Sequence, residues 1–536
     1  MSVARDKTAL ATVGLVGRYR PSGFFVLRTP LLPVAEFAAW SAQAVSSSAG
    51  GDTDVKDTLR RALSKQLEAP HTADSLRVAS PALADSLPGW LTRRSSRRRE
   101  RMDRTMVQYF ARMCDRCTPF GLFAGISVGE LGSETRLRLK DRRNYRRRSV
   151  LDLQQVARLV RSLLKEDEIR KKVRYRANDT LAAVGNGYQY VETDDFANDA
   201  RHEVAFVEAD PALTAVLGFA MNGPRPLAEI RSALATGISD PEVTEADIRE
   251  YLDELVEAQV LEPELIPAVV GDDPLNQVLT SLGVCDALRE PLARVRQLRA
   301  ELDRLDAHGV GAPPAAYAAV DRVWTDGLGQ KKTDRLLHVD MFKGGDKLRL
   351  SGDVVEELLR GAELLWRIAG KARDPLRELK HRFRERYDSR EVPLAEAFDP
   401  ERGLGVPGPD LRPRVSRSPL LAGLDLGAAN GNDALAAGGG NLSSALAARV
   451  AAPGAAIPAV LELEAELVDQ LVQTGESSLP EAVAIHFELV AASDEAVGLG
   501  DYRILYHGVM GPSGGRMLGR FCALESELLQ CVRRRL

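Results

Sequence analysis

Apolar residues recur every three to four positions from Glu100 to Arg116, a spacing that predicts an amphipathic helix. At 100° per residue, Met102, Met106, Tyr109, Phe110 and Met113 share one side, while Arg101, Arg104, Gln108, Arg112 and Arg116 share the other. Thr118-Pro119 ends the run, because the residue before a proline is steered away from helical dihedrals. Upstream, FFVLR ending at Arg28 reads as a strand broken at Pro30, with helices expected over residues 35–45 and 57–66. Downstream, FGLFAGISVGEL reads as a strand in which Gly121 and Gly125 permit unusual dihedrals or close approach of another backbone. TRLRLK (residues 135–140) alternates like a second strand, and RRNYRRR (residues 142–148) reads as a basic turn. A helix beginning near Asp152 follows, striped by Leu153, Val156, Leu159, Val160, Leu163 and Leu164.

Between residues 173 and 266 the pattern changes to strands (TLAAVGNGYQYVE, HEVAFVEA) and three helices, which is a winged-helix pattern. Thr244 caps the third helix with Asp247 at its third position, and Ile248, Leu252, Leu255 and Val256 form its buried face. Helical segments are expected over residues 274–308, 353–370 and 374–387, with LLHVDMF between them as a short buried strand carrying Asp340. Residues 403–458 are rich in Gly, Ala, Asn and Pro and read as a long loop or linker. Beyond them, EAVAIHFELVA and DYRILYHGVM read as strands, and GPSGGRMLGRF reads as a glycine-rich turn delivering Arg516 and Arg520. The expected class is α+β, a multi-part mixture of helices and strands with an embedded winged helix, in segments 1–172, 173–266, 267–402, 403–458 and 459–536.

With 536 residues, 44% of them hydrophobic and 28% charged, the chain can form several substructures around more than one core. No run of 18 apolar residues occurs and the N-terminus lacks a secretory pattern, so no membrane span and a cytoplasmic location are expected. Five cysteines are too few and too scattered for a disulfide framework. The net charge of -4 conceals an asymmetry: residues 91–148 hold 17 Lys and Arg against 6 Asp and Glu. Such segregation fits a polyanion partner or a solvated arginine face.

Arg112 and Arg116 stand at i and i+4, where like charges cost about 0.2–0.5 kcal/mol unless an anion joins them. Arginines in a last turn also complement the negative end of the helix dipole. Cys114 and Cys117 form a lone C-x-x-C without the second pair that zinc requires. GPSGGR lacks the lysine of a phosphate loop, and G-x-S-x-G and H-E-x-x-H motifs are absent, so ATP chemistry, serine hydrolysis and zinc hydrolysis are disfavoured.

The segment YFARMCDRCTPFGLFAGISVG (residues 109–129) resembles the N-terminal part of the lantibiotic dehydratase family, whose members carry R-x-x-x-R-x-T-P-F-G-x-F-x-G-x-S. The resemblance continues through VLRTPLLP, RRSVLDLQQV, LLHVDMF, REVPLAEAFDPERGLGVPG and GPSGGRMLGRF, and so covers nearly the whole chain. It implies transfer of glutamate from glutamyl-tRNA, a co-substrate rather than a bound cofactor, onto Ser or Thr hydroxyls of a precursor peptide. It places the glutamylation residues on Arg28, Arg112, Arg116, Thr118, Asp152, Asp340 and Arg520. It also makes the winged helix a leader-peptide recognition element. The basic stretch would then follow tRNA phosphates through Arg93, Arg94, Arg97, Arg98, Arg146, Arg147 and Arg148. Because the sequence stops at CVRRRL soon after Arg520, elimination of the glutamate is expected from another polypeptide. The alternatives are a non-catalytic leader-binding fragment and a relative that adds a different amino acid from its tRNA to a peptide.

Overall fold

The arginine-faced helix forms as α1, Arg97–Asp115, opening three residues earlier than the spacing alone suggests. Met106, Phe110 and Met113 are fully buried, whereas residues 101, 104, 108, 112 and 116 are all exposed. The computed structural model describes residues 19–49, 55–91, 97–193, 202–237, 243–266, 273–284, 288–333, 335–369, 376–399, 402–405, 481–510, 514–522 and 525–535. Nearly all of the expected linker, together with Arg93 and Arg94, lies outside these residues. The chain is α+β and divides into two compact units that do not follow the sequence segments. The larger comprises Phe24–Glu130, Arg136–Arg349 and Gly519–Leu536, and the smaller Met1–Gly23, Leu131–Thr135 and Leu350–Leu518.

The larger unit is organised by a sheet whose strands run in the order β1 (Phe24–Pro30), β2 (Gly121–Gly132), β4 (Leu337–Phe342) and β3 (Arg146–Leu151). β1 is antiparallel to β2, β2 is parallel to β4, and β4 is antiparallel to β3. Alternation gives the sheet two chemically distinct faces. Leu122, Val339 and Met341 point into an apolar core with α1 and the helices Val34–Ala49, Val55–Glu68 and Pro70–Ala79, which contribute Trp40, Leu63, Leu67 and Leu76. Arg28 aligns with Ile126, Ile126 with Phe342, Phe342 with Arg146, and Asp340 with Arg148. These residues therefore share the opposite face.

Both glycines flagged in the sequence have work that a side chain would prevent. Gly121 adopts φ +61°, which lets the chain turn out of Pro119 directly into β2. At Gly125 a Cβ would sit 2.9 Å from the Met341 carbonyl oxygen and 3.1 Å from Lys343 Cγ, so β2 and β4 could not approach as they do.

Three expectations are corrected. Residues 135–140 do not form a strand; they make only isolated bridges, Arg136 to Arg349 and Leu139 to Gly345. The basic run is a turn only at Arg142–Asn144, after which Arg146–Arg148 belong to β3. The glycine-rich segment is a helix, α4 (Gly515–Cys522), because the Gly514 carbonyl accepts from the amides of Met517 and Leu518, while Phe521 and Cys522 bury one side.

The second core gathers α2 (Leu153–Leu164), α3 (Arg289–Ala307) and the winged-helix region. In that region helices Pro211–Ala220, Leu227–Gly237 and Glu245–Glu257 pack beside a small sheet ordered Arg225–Pro226, Arg174–Ala177, Leu261–Pro263. A meander of Ala182–Val184, Gly187–Thr193 and His202–Glu208 accompanies them. Thr244 and Asp247 form a reciprocal capping box at the third helix. In the smaller unit, the hairpin Ala484–Ala491/Tyr502–Met510 is tied to helix Gly352–Ala369 by the Tyr506 hydroxyl, which donates to the carbonyls of Glu357 and Leu358.

Where β3 enters the core face, its alternation places Arg147 inside the protein. The guanidinium is fully buried, 3.2 Å from Asp74 and 2.9 Å from the Tyr317 hydroxyl, and it also donates to the Ser149 hydroxyl. Asp74 in turn accepts from the amides of Gly311 (2.8 Å) and Ala312 (3.0 Å), tying helix Pro70–Ala79 to the loop after α3. Replacing Asp74 with Ala leaves the buried Arg147 only the more distant Asp306, 3.6 Å away, as a carboxylate partner, and is expected to cost about 3 kcal/mol, measured by urea denaturation against wild type. A loss below about 1 kcal/mol would show that this network does not hold the core.

Candidate functional site

Four stretches distant in sequence converge on the second face of the sheet. β1 supplies Arg28, the break after α1 supplies Thr118–Phe120, β4 supplies His338 and Asp340, and α4 supplies Arg520. Asp340 is 1% exposed and aligns with Gly121, the first residue of β2. One of its oxygens accepts from the Arg520 guanidinium, which also donates to the Pro119 carbonyl at 3.1 Å. Arg520 thus fastens the helix break to the buried carboxylate, while its side chain remains about two-fifths exposed.

Arg28 has no carboxylate partner among the described residues. Burial, and then the nearby Arg520 charge, hold its guanidinium below the ordinary arginine range. Two cations beside one carboxylate leave an excess of positive charge, which an anion would relieve. Arg112 and Arg116 extend that field. Arg112 is exposed on the last turn of α1 and Arg116 just beyond its end, and neither pairs with a carboxylate among the described residues. Arg112 instead lies 5.8 Å from the Tyr109 ring. Thr118 is exposed at the break, and Phe120 beside it is 67% exposed with its ring edge-on to His338.

Asp152 is not brought to this cluster. It caps α2 by accepting from the Gln154 amide at 2.9 Å, and its own amide donates to Leu336. That places it four residues along β4 from Asp340, roughly 13 Å at the usual strand rise. The basic residues also separate. Arg147 is a core residue and is withdrawn from the surface set by its burial. Arg146 reaches solvent while pairing with Glu525 at 2.5 Å, and Arg148 lies 4.0 Å from Asp306. Both line an open cavity of about 480 Å³ with Arg143, His308 and Phe342. Arg97 is exposed at the start of α1, and Arg98 follows it in the same helix. Of the cysteine pair, Cys114 is buried and its thiol is pushed up to about 12 by that burial, whereas Cys117 is only partly covered.

Sequence reasoning passed over three residues here: Phe120, His338 and Lys343. Lys343 is 4% exposed and has no carboxylate partner among the described residues. Its ammonium donates to the Thr29 hydroxyl at 3.0 Å and to the Pro30 carbonyl, and lies 4.9 Å from the Tyr145 ring. It therefore pins the end of β1 immediately after Arg28. The only signal in the sequence is a lone lysine closing an apolar strand.

Residues 68–535 match the family model described as lantibiotic dehydratase, N terminus. The chain belongs to the lantibiotic dehydratase family. Among curated proteins it is similar to nisin biosynthesis protein NisB of Lactococcus lactis subsp. lactis, 22% identical over 343 residues, covering 62% of this chain and 33% of NisB. It is also similar to subtilin biosynthesis protein SpaB of Bacillus subtilis, 20% identical over 315 residues, covering 58% and 29% respectively. The aligned part is thus a third or less of each relative's length. Among solved structures, the tRNA-dependent lantibiotic dehydratase MibB from Microbispora sp. 107891 matches with TM-score 0.65 and 22% identity, covering 91% of this chain and 43% of MibB. The glutamylation domain of TbtB, from thiomuracin biosynthesis, matches with TM-score 0.56 and 19% identity, covering 89% and 56%. At these identities the structural likeness is one of fold. No helix among the described residues is long and apolar enough to cross a membrane.

Burial, and then the Arg142 charge, push Lys343 down to about 8, against an ordinary lysine value of 10.5. Its folded-state value is the lower one, so between pH 8 and 10.5 the unfolded chain binds more protons at this site and stability rises with pH. The rise is expected to be roughly 3 kcal/mol at most. Urea unfolding of wild type and Lys343→Met across that window isolates it, and parallel pH profiles for the two proteins would rule it out.

Proposed function

We propose that this chain transfers glutamate from glutamyl-tRNA to Ser or Thr hydroxyls of a leader-bearing precursor peptide. The observation that carries the reading is the cluster of Arg28, Arg520 and Asp340 beside the Pro119 break, with Arg112 and Arg116 exposed nearby and without a carboxylate partner among the described residues. Acyl transfer from a tRNA ester needs cations for the terminal phosphates and donors for the oxyanion that grows on the ester carbonyl. The planar guanidinium fork binds phosphate in bidentate fashion, which suits Arg112 and Arg116 to the nucleic-acid end. Arg28, which has no carboxylate partner among the described residues, is assigned to charge on the reacting ester. Thr118, exposed at the break, is assigned as a hydroxyl donor to the same ester.

Asp340 keeps Arg520 in place and so fixes where that charge points. Arg146, Arg148 and Arg97 are assigned to backbone phosphates farther along the tRNA. The leader peptide is assigned to the winged-helix region as a strand added beside His202–Glu208, which pairs with a single strand among the described residues and whose Val204 is 52% exposed. Only the transfer step is assigned to the residues of this chain.

The test combines purified protein, charged glutamyl-tRNA and a precursor peptide, with mass spectrometry of the product. A glutamyl adduct on Ser or Thr is expected, reduced about 100-fold or more in Arg520→Ala. Peptide retained on the protein but never modified would replace the transferase reading with a leader-binding module, and an adduct formed only from another aminoacyl-tRNA would change the donor. Arg112→Ala is expected to weaken tRNA binding and reduce the slope of log affinity against log salt by about one. An unchanged slope removes Arg112 from the phosphate contacts.

A further inference from the structure

Two polar atoms on β4 are buried without a hydrogen-bond partner among the described residues, and they face each other: His338 Nε2 and Asp340 Oδ2, 3.5 Å apart. At that separation they are beyond a normal hydrogen bond, and closing the gap by a few tenths of an ångström gives a charge-assisted one. Positions 338 and 340 are two apart on a strand, so both side chains stand on the same face. Arg520 occupies the other Asp340 oxygen, so Oδ2 is what this carboxylate has left to offer. His338 is one-third exposed, and its ring lies edge-on to Phe120, 6.4 Å between centroids, at the break that carries Thr118.

An imidazole anchored through one nitrogen on a buried carboxylate holds a fixed tautomer and presents its second nitrogen as a proton acceptor. Resting on the glutamyl-transfer reading above, we propose that His338 is the catalytic base for the Ser or Thr hydroxyl, oriented by Asp340. The hydroxyl oxygen attacks the ester carbonyl carbon as its proton passes to the free imidazole nitrogen. A new C–O bond forms, and the carbonyl π pair moves onto oxygen, where the arginines meet it. When the tetrahedral centre collapses, the bond to the tRNA ribose oxygen breaks, and that oxygen takes the proton back from the imidazolium. Asp340 stabilises the imidazolium through its second oxygen. No oxidant, reductant or metal is consumed.

Asp340 Oδ2 faces the ring and Phe120 meets it at the break, while on β3 Val150 stands opposite His338 and Arg148 opposite Asp340, whose other oxygen Arg520 holds. In His338→Ala, turnover of bound peptide is expected to fall about 10²–10⁴-fold with KM for peptide little changed. Added imidazole is expected to restore part of that rate, increasingly as imidazole becomes neutral. His338→Gln, which retains a polar side chain without a base, should stay inactive and far-UV circular dichroism of both variants should match wild type.

Wild type that forms the adduct while His338→Ala forms it within twofold overturns this inference and leaves the transferase reading standing. So does a misfolded His338→Ala accompanied by a folded, fully active His338→Gln. Wild type that forms no adduct from any aminoacyl-tRNA overturns the transferase reading, and the base assignment falls with it.

Discussion

A carboxylate with 1% of its surface exposed keeps its charge only if the protein delivers a cation to it, and Asp340 receives one from 180 residues away. Arg520 does more than neutralise it. By donating also to the Pro119 carbonyl, it ties the end of α1, the start of β2 and the centre of β4 into one rigid point. Because Arg520 is consumed in this way, Arg28 is left on the same face without a carboxylate partner among the described residues. The positive charge left over on that face is a consequence of that division of labour.

Two classes of arginine sit within a few residues of one another, and strand alternation sorts them. Arg147 points inward and completes a core network with Asp74, Tyr317 and Ser149. Arg146 and Arg148, its neighbours on either side, point outward to an open basic cavity. A count of positive charge over the run cannot make this distinction, because it depends on which face of β3 packs.

Much of the architecture was legible because it follows from periodicity. The two sides of α1, the cap at Thr244 and the short buried strand at Asp340 came directly from residue spacing. GPSGGRMLGRF was misread because its glycines suggested a turn, although Met517, Leu518, Phe521 and Cys522 already had helical spacing. At the site, the family motif led to Arg28, Asp340 and Arg520, and the structure brings these together. It could not show that Asp152 is a helix cap lying away from them. His338 was passed over as one of seven scattered histidines, because its significance lies in which way a neighbouring carboxylate oxygen faces, and that is a tertiary fact.

The sheet joins strands that are remote along the chain: the Ser127 hydroxyl bonds to the Lys343 carbonyl across 216 positions, and β1 waits for β2 nearly a hundred residues later. Such pairings make folding slow and leave edges uncovered while the polypeptide is being synthesised. On the ribosome, β4 joins β2 only after the whole winged-helix region has emerged. The carboxylate at its centre then remains without its cation until α4 has cleared the exit tunnel. A nascent chain can therefore complete its winged-helix region well before Asp340 acquires its cation, so the two ends of the larger unit mature at different times during synthesis.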